Sequence, residues 1–299
     1  MEQPNVVRWL VESSLGTIVA ADVHHIKCPF SRLGYFTSAC ALLEETVTLI
    51  DSGTSDSPEE AIFPYLSNQR RRPDQISKVI LTHAHSDHCG GIQAIKRKSH
   101  VEIAVHALDE PLLRDPMLQN RLLNRRFSEI FPLTTSRGFE PLEADLILED
   151  GDKISLDRRQ LRVIHTPGHS EGSIVLIDEE TGICISGDSI QGRGEGRPLL
   201  FFSLEKYVSS LRRMMEEPIN TLIVGHPMPP YNRGILQGEE AKTFISESLK
   251  GIEELRSKVL GTIEKRGKVP SLREICERLP EARPSTIGCI MESLEKAKR

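Results

Sequence analysis

The chain has 299 residues, which suits one large domain followed by a smaller one at about 100–200 residues per domain. Hydrophobic residues make up 38% and charged residues 27% of the chain, so a sizeable core can form. A net charge of −5 excludes a wholly basic nucleic-acid coat protein, although it leaves room for a local basic patch.

Cysteine usage and apolar runs indicate the compartment. The six cysteines are widely spaced and form no Cys-x-x-Cys pair, which is typical of reduced thiols in a cytosolic protein. No apolar run approaches the roughly 18–20 residues that a membrane span needs. The N-terminus also lacks the basic start and long apolar core of a secretory signal. We therefore expect a cytoplasmic protein with no membrane partner.

Short apolar segments rich in β-branched residues recur through the first part of the chain, and each is bounded by Gly, Pro, Asp or Ser. They predict strands at 16–20, 40–50, 77–82, 102–105, 161–165, 173–177, 184–186 and 221–224. Helical patterns lie between some of them: one opens at Gly90, and another, at 204–216, repeats apolar residues near every 3.6 positions. This mixture predicts an α/β sandwich of sheets covered by helices.

A long polar stretch at 107–149 has helical propensity and contains four arginines: Arg114, Arg121, Arg125 and Arg126. The interpretation that we favour is a solvated helical insert. The alternative is a lid over an active site, whose arginines would meet an anionic substrate.

Strand signals stop near residue 239, which predicts two domains, 1–238 and 239–299. The second is expected to hold a long helix at 239–260 interrupted at Gly251, a helical turn to Arg266, and helices at 271–279 and 285–296 with Ser271 and Ser285 as N-caps. Two short helices around a turn resemble a helix-turn-helix or winged-helix module. Residues 251–299 carry 11 Lys/Arg against 8 Asp/Glu, a modest excess. A small packing or oligomerisation domain is therefore favoured over a nucleic-acid-binding one.

The segment at 78–91 carries the densest group of metal-binding side chains. A predicted strand runs into His83, His85, Asp87 and His88. Where the chain leaves the sheet in an extended form, His83 and His85 project to the same side and can bind one ion. Asp87 and His88 lie in the turn that follows and can reach a second ion. Four such residues within six positions indicate a metal site.

Three further predicted strands end in ionisable residues: His169 after a Pro-Gly turn, then Asp188 and His226. An α/β sheet gathers its site at such strand ends. His165, at the strand end before the Pro-Gly turn, is expected to be a packing residue, and His169, beyond the turn, is expected to be the ligand.

Together these motifs resemble the metallo-β-lactamase superfamily of hydrolases. Its HxHxDH motif stands here at 83–88, its PGH at 167–169, its GD at 187–188 and its GH at 225–226, and an early Asp-x-Gly loop is matched at 51–53. The resemblance covers about residues 15–230. It implies an αββα sandwich with a binuclear metal site on its edge, so 1–238 becomes the catalytic domain and 239–299 a small helical, winged-helix-like one.

The resemblance also implies the roles of the site residues. One ion would take His83, His85 and His169, the other Asp87, His88 and His226, and Asp188 would bridge the two ions together with a water or hydroxide. Asp87 and Asp188 are then the catalytic residues. Mixed imidazole and carboxylate ligands suit Zn²⁺ best, with Mn²⁺ or Fe²⁺ as alternatives. Two such ions would generate a hydroxide nucleophile that attacks a carbonyl.

Asp188 narrows the range of expected activities, because antibiotic-resistance β-lactamases of the family usually have Cys or Ser at this position. The Asp version resembles glyoxalase II-like thioesterases, lactonases and family nucleases. The tail departs from glyoxalase II and is similar to that of β-lactamase-like protein 2-type proteins, some of which are endoribonucleases. Only 37 residues separate Asp188 from His226, too few for a nuclease β-CASP insertion.

Three hypotheses follow. The first is a hydrolase of a small thioester, ester or lactone, with Phe201, Phe202 and Tyr207 as candidate substrate-binding residues, for which core packing is the competing interpretation. The second is a single-strand endoribonuclease with RNA as partner and some promiscuous β-lactam hydrolysis. The third, which the intact ligand set makes the weakest, is a ligand-sensing DNA-binding regulator. A homodimer is compatible with each.

Overall fold

The computed structural model describes residues 11–12, 15–20, 22–30, 35–130, 139–194, 196–264 and 270–297. Within these residues the strands are β1 Val11–Glu12, β2 Gly16–Ala20, β3 Val23–Pro29, β4 Phe36–Leu43, β5 Val47–Ile50, β6 Ile76–Ile80, β7 Glu102–His106, β8 Leu146–Leu148, β9 Lys153–Ser155, β10 Gln160–His165, β11 Ile174–Asp178, β12 Ile183–Ile185, β13 Thr221–Ile223 and β14 Ile235–Gln237. The α-helices are α1 Phe63–Asn68, α2 Ser86–Cys89, α3 Ile92–Lys96, α4 Glu110–Arg114, α5 Leu118–Arg126, α6 Leu204–Glu216, α7 Glu239–Glu264, α8 Leu272–Arg278 and α9 Pro284–Lys296.

The strands form two sheets. The first has eight strands in sequence order, β1 to β8, antiparallel as far as β5 and parallel from β5 to β8. The second has six strands in the order β14-β13-β12-β11-β10-β9, and only its β12–β13 pair is parallel. Parallel pairs need long crossovers, so helices cover the outer faces of the sheets.

Three clusters of buried side chains show how the layers pack. One joins the inner faces of the two sheets, with Leu42 and Ile80 from the first against Val163 and Leu176 from the second. A second cluster lies between the first sheet and helices α1 and α3. The third lies between the second sheet and helices α6 to α9. The result is the predicted αββα arrangement.

The C-terminal helices share one apolar cluster with the second sheet. Phe244 and Ile252 of α7, Ile275 of α8 and Ile290 of α9 are all fully buried in the cluster that also holds Leu222 of β13. The tail therefore covers an outer face of the sandwich. In residues 239–264 and 270–297 its regular elements are all helices. Its likeness to a winged helix, like the boundary at residue 238, stays a prediction.

Most predicted elements are present, with local differences. The stretch 40–50 is two strands joined by a turn, in which Glu44 N–H donates to the Thr46 carbonyl. Strands β1, β3, β8, β9 and β14 were not predicted. Strand β3 carries polar His-His-Ile-Lys, and the other four have only two or three residues. Helix α7 passes through Gly251 without a break. A Cβ at Gly251 would lie 2.6 Å from the Arg193 Cβ, so this glycine serves close packing.

The predicted N-caps of the last two helices differ in outcome. Ser271 caps α8, and its hydroxyl accepts a hydrogen bond from Glu274 N–H in a capping box, as predicted. Ser285 was wrongly predicted to cap α9. That helix begins at Pro284 with Arg283 in the cap position, because proline at the first helical position needs no hydrogen-bond partner for its nitrogen. The predicted turn at Arg266 lies outside the described residues. Among those described, no helix is both long and apolar enough to cross a membrane.

Candidate metal centre

The seven predicted ligands lie together where strands of both sheets end. After β6 the chain passes through His83 and His85, with extended backbone at His85, and the short helix α2 then carries Asp87 and His88. His169, Asp188 and His226 follow β10, β12 and β13 of the second sheet. Their ligand atoms form three groups, each within 4.8 Å: His83, His85 and His169; His83, His88 and Asp188; and Asp87, His88 and His226.

Asp188 lies between these groups and turns one oxygen toward each side. Its Oδ1 is 3.6 Å from His88 Nε2 and 3.4 Å from His226 Nε2. Its Oδ2 is 3.5 Å from His169 Nε2. A Cβ at Gly225 would lie 2.3 Å from Asp188 Oδ1, so the carboxylate can take this place only because residue 225 has no side chain.

Hydrogen bonds fix the orientation of the imidazole rings. The Nδ1–H of His88 donates to Asp51 Oδ2 at 2.7 Å, that of His226 to the Phe36 carbonyl at 3.0 Å, and that of His169 to the Leu199 carbonyl at 2.7 Å. A donor at Nδ1 leaves the lone pair on Nε2, which is the atom that each ring turns toward the centre.

His83 and His85 are oriented by different partners. Thr82 Oγ1 donates to Asp51 Oδ2 at 2.7 Å and so accepts from His83 Nδ1 at 3.1 Å. His85 is the exception, because it turns Nδ1 inward, 2.8 Å from His169 Nε2. Its Nε2 lies 2.7 Å from the side-chain nitrogen of Gln119 on α5.

The protonation states suit a divalent cation. Burial lowers the pKa of His83 and His85 well below the usual range and that of His169 to about 4, so these rings are neutral at pH 7. Burial opposes ionisation of Asp188, but His226 and His88 hold the pKa of that carboxyl well below its usual range. His88 differs: burial opposes its charged form, but Asp51 and Asp87 raise the pKa of this ring well above its usual range. A cation bound at its Nε2 would displace that proton, and neutral imidazoles with ionised carboxylates are the donor set of a zinc-type site.

Two buried nitrogen atoms at the centre also fit a metal. Among the described residues, the Nε2 atoms of His83 and His88 are buried and have no hydrogen-bond partner. A buried polar atom without a partner is costly, and a coordinated cation would satisfy both atoms.

The predicted substrate-binding residues lie in different surroundings. The Phe201 ring is half-buried, with its centre 5.0 Å from that of His85 and 5.4 Å from that of His169. Phe202 is also half-buried. Tyr207 is fully buried in the cluster beneath α6, where its Cβ packs against Gly168. Of the three, Phe201 is the one whose ring contacts the centre.

The helical insert at 107–149 contacts the site through the side chain of Gln119 and not through its arginines. Three of its four arginines pair with acids: Arg114 with Glu110, Arg121 with Asp115, and Arg126 with Glu292. These pairs leave little free positive charge for an anionic substrate. Gln119, on the same helix as Arg121 and Arg126, is the insert residue that bonds a histidine of the centre.

Several residues near the centre were not predicted. In the sequence, Asp51 was recognised only as part of the Asp-x-Gly loop. Its position directly after strand β5 could have indicated a role at the site. Phe30, 49% exposed, has its ring centre 5.7 Å from that of His226. Neither Phe30 nor Gln119 stands in a sequence pattern. His165, expected to pack, stacks on His106 at 4.1 Å between ring centres.

A family model described as the metallo-beta-lactamase superfamily matches residues 34–226. The chain belongs to this superfamily. A crystal structure of a family member from Thermus thermophilus has a TM-score of 0.75 at 18% identity and covers 94% of both chains. A superfamily protein of the archaeon Sulfolobus tokodaii has a TM-score of 0.57 at 19% identity and covers 77% of this chain and 86% of its own. Both likenesses concern the fold.

Curated relatives include a thioesterase and a hydrolase by name. Acyl-coenzyme A thioesterase MBLAC2 of Gallus gallus is 37% identical over 146 residues, which are 46% of this chain and 50% of that protein. Hydroxyacylglutathione hydrolase of Cereibacter sphaeroides is 29% identical over 182 residues, 59% of each chain. The chain thus spans between half and three-fifths of the length of these relatives.

Proposed function

We propose that this chain is a metal-dependent hydrolase that cleaves a thioester, using two divalent cations, of which Zn²⁺ fits the ligands best. The observation that carries the proposal is the position of Asp188, with Oδ1 toward His88 and His226 and Oδ2 toward His169. A carboxylate with one oxygen on each side suits a bridge between two cations. One cation would take His83, His85 and His169, and the other Asp87, His88 and His226.

The residues divide the chemistry among them. Two bound cations would activate a water and polarise the scissile carbonyl. Asp188, ionised and buried, would supply the negative charge that keeps both cations in place. Asp87 is more exposed than Asp188, with 20% of its side chain accessible, and its Oδ2 is 3.3 Å from His226 Nε2. Burial opposes ionisation of Asp87, but His88 and His226 lower the pKa of this carboxyl, so Asp87 would orient the attacking water.

The rim of the centre supports an acyl substrate. Phe201 borders the side of His85 and His169, and Phe30 borders the side of His226. Apolar rings on two sides suit the hydrocarbon part of an ester or thioester. The names of the curated relatives favour the thioester, with esters and lactones as further substrates of the same chemistry.

The alternative is a single-strand endoribonuclease with the same cations and some β-lactam hydrolysis. The net charge of +3 in residues 251–299 favours it. The pairing of Arg114, Arg121 and Arg126 with acids speaks against a basic track across the insert. Salt separates the two, because RNA binding weakens steeply as salt rises and turnover of a neutral ester does not.

The deciding experiment is metal analysis of the purified chain followed by a panel of acyl thioesters, a lactone, a chromogenic β-lactam and single-stranded RNA. We expect two equivalents of metal and fastest turnover of a thioester. A His83→Ala/His85→Ala variant should lose metal and turnover together. Turnover that persists in this variant would assign the activity elsewhere. The cytoplasmic location and the homodimer stay predictions, which fractionation and sedimentation would test.

A further inference from the structure

The loop at 197–202 contacts the centre from the side of the second sheet. The Leu199 carbonyl accepts from His169 Nδ1–H at 2.7 Å, and Phe201 N–H donates to the His169 carbonyl at 3.0 Å. Both the ring and the backbone of His169 are therefore held by this loop. A shift of the loop would rotate the His169 ring and move its Nε2 away from Asp188.

The last helix of the chain holds this loop on both sides of Leu199. Thr286 Oγ1 on α9 accepts from Leu200 N–H at 2.9 Å and donates to the Pro198 carbonyl at 3.2 Å. Thr286 is fully buried, so water cannot replace these hydrogen bonds. One hydroxyl thus bonds the peptide groups on both sides of Leu199, which Gln191 also holds through the Leu199 N–H at 2.8 Å and the Leu199 carbonyl at 3.0 Å.

A second connection joins the same loop to the insert and to α9. Arg126 Nη1 donates to the Phe201 carbonyl at 2.7 Å, and its Nη2 donates to the Phe202 carbonyl at 2.9 Å. The guanidinium is held by Glu292 of α9, with Nη2 to Oε2 at 2.7 Å and Nε to Oε1 at 3.2 Å. This two-pronged geometry is specific to an arginine–carboxylate pair.

The packing of α9 brings these groups together. A Cβ at Gly288 would lie 2.4 Å from the Phe127 ring, so the backbone of α9 lies directly on the residue after α5. Thr286, Gly288 and Glu292 all occur within two turns of one helix. Helix α9 therefore contacts the loop and the insert at the same time.

We propose that α9 is a positioning element of the active site, in which Thr286 and Glu292 set the orientation of His169 through the loop at 197–202. The inference rests on the proposed function, because it assumes that His169 binds a cation. It assigns the C-terminal tail a role in the hydrolase itself. Thr286 and Glu292 act through other residues and are positioning residues, not catalytic ones.

Paired variants at Thr286 test the hydroxyl. Thr286→Val keeps the shape of the side chain and removes both hydrogen bonds, whereas Thr286→Ser keeps the hydroxyl and loses a methyl group. The readout is the dissociation constant of the weaker-held Zn²⁺, measured by chelator competition, with thermal unfolding in EDTA as a check on the fold. We expect Thr286→Val to weaken Zn²⁺ about three- to tenfold, less than the roughly 10–100-fold found for groups that touch a ligand directly. Thr286→Ser should stay near the wild type.

Glu292 has a matched control on the same helix. Glu292→Gln removes the charge that holds Arg126, and Glu295→Gln removes an exposed charge three residues further on. We expect Glu292→Gln to weaken Zn²⁺ about two- to fivefold and Glu295→Gln to leave it unchanged. Steady-state kinetics should show a lower kcat for Glu292→Gln at an unchanged or higher KM.

The outcomes separate this inference from the proposed function. If the wild type binds two equivalents of Zn²⁺ but Thr286→Val binds them as tightly, α9 only covers the core and the inference is overturned. The same conclusion follows if Thr286→Ser is impaired more than Thr286→Val, because packing then matters and the hydroxyl does not. A wild type that binds no metal would overturn the proposed function instead.

Discussion

The histidines of the centre fall into two sets that are anchored to different parts of the molecule. His83, His88 and His226 form a sheet-held set: Asp51, which follows β5, holds His88 directly and His83 through Thr82, and the Phe36 carbonyl of β4 holds His226. His85 and His169 form a loop-held pair. Their partners are Gln119 of the insert and the Leu199 carbonyl of the loop at 197–202.

The difference shows which half of the site the sandwich alone determines. Strand ends of the first sheet are fixed by ladder hydrogen bonds and buried cores, so the sheet-held set is rigid by construction. The loop-held pair depends on two segments outside the sheets, and these are in turn fixed by α9. Changes in the insert or tail should therefore act on His85 and His169 and spare His88 and His226.

The largest effect should come from Asp188, which contacts both sets. Asp188→Asn keeps the shape but removes the charge shared between His88, His226 and His169. We expect thioester turnover to fall about 10²–10³-fold, the range seen when one group that stabilises charge in the transition state is removed. Metal content should drop below two equivalents, as measured on the same samples. A variant with full metal and full turnover would contradict the bridging role.

A smaller effect, confined to the sheet-held set, is expected at Asp51. This residue adopts φ +59°, which asparagine tolerates, so Asp51→Asn changes the charge with little backbone strain. His88 loses its ionised acceptor directly, whereas His83 is held only through Thr82. We expect the Zn²⁺ of His88 to bind about 10–100-fold more weakly and the Zn²⁺ of His83 to be weakened less. Two-step titration with a competing chelator measures both constants. Unchanged binding of both cations would contradict the hold of Asp51 on the sheet-held set.

The two sets also differ in how far they could be predicted. His83, His88 and His226 stand directly at strand ends, where alternation and apolar runs locate them, and the resemblance to the superfamily covers the same motifs. The partners of the loop-held pair could not be found in this way. Gln119 lies in a polar helix with no apolar period to orient it, and Thr286 meets Leu200 across 86 positions of sequence. Such contacts arise only when tertiary packing brings distant segments together.

Variants at Gln119 test how the loop-held pair is oriented. The side-chain nitrogen of Gln119 faces His85 Nε2 at 2.7 Å. If His85 gives Nδ1 to a cation, its Nε2 carries the proton and needs an acceptor, which the amide oxygen of Gln119 provides once the amide group turns by 180°. We expect Gln119→Leu to weaken one Zn²⁺ about two- to tenfold, and Gln119→Glu, which keeps an acceptor, to bind it at least as well as the wild type. The same chelator titration measures both. Equal loss in the two variants would show that the amide only fills space.

The last prediction concerns the acid stability of the residues beneath the sheet-held set and not a metal affinity. His25 is fully buried, its Nε2 is 2.8 Å from Ser38 Oγ, and its ring contacts Phe36, whose carbonyl holds His226. Burial, with a smaller contribution from Lys27, lowers the pKa of His25 from 6.5 to about 3.

Because the folded pKa lies below the unfolded one, the unfolded state binds the extra proton first. The contribution of neutral His25 to the free energy of unfolding is fully present above pH 6.5 and is lost as the pH falls toward 3. We expect His25→Gln, which keeps a donor near Ser38, to lose less stability than the wild type between pH 6.5 and 4. The difference in slope should reach up to about 1.4 kcal/mol per pH unit. Denaturant unfolding in EDTA measures it, because His83, His85 and His169 then titrate alike in both proteins. If the two proteins gave parallel pH profiles, burial would not lower the pKa of His25. The packing of His25 beneath the sheet-held set would then be insensitive to acid.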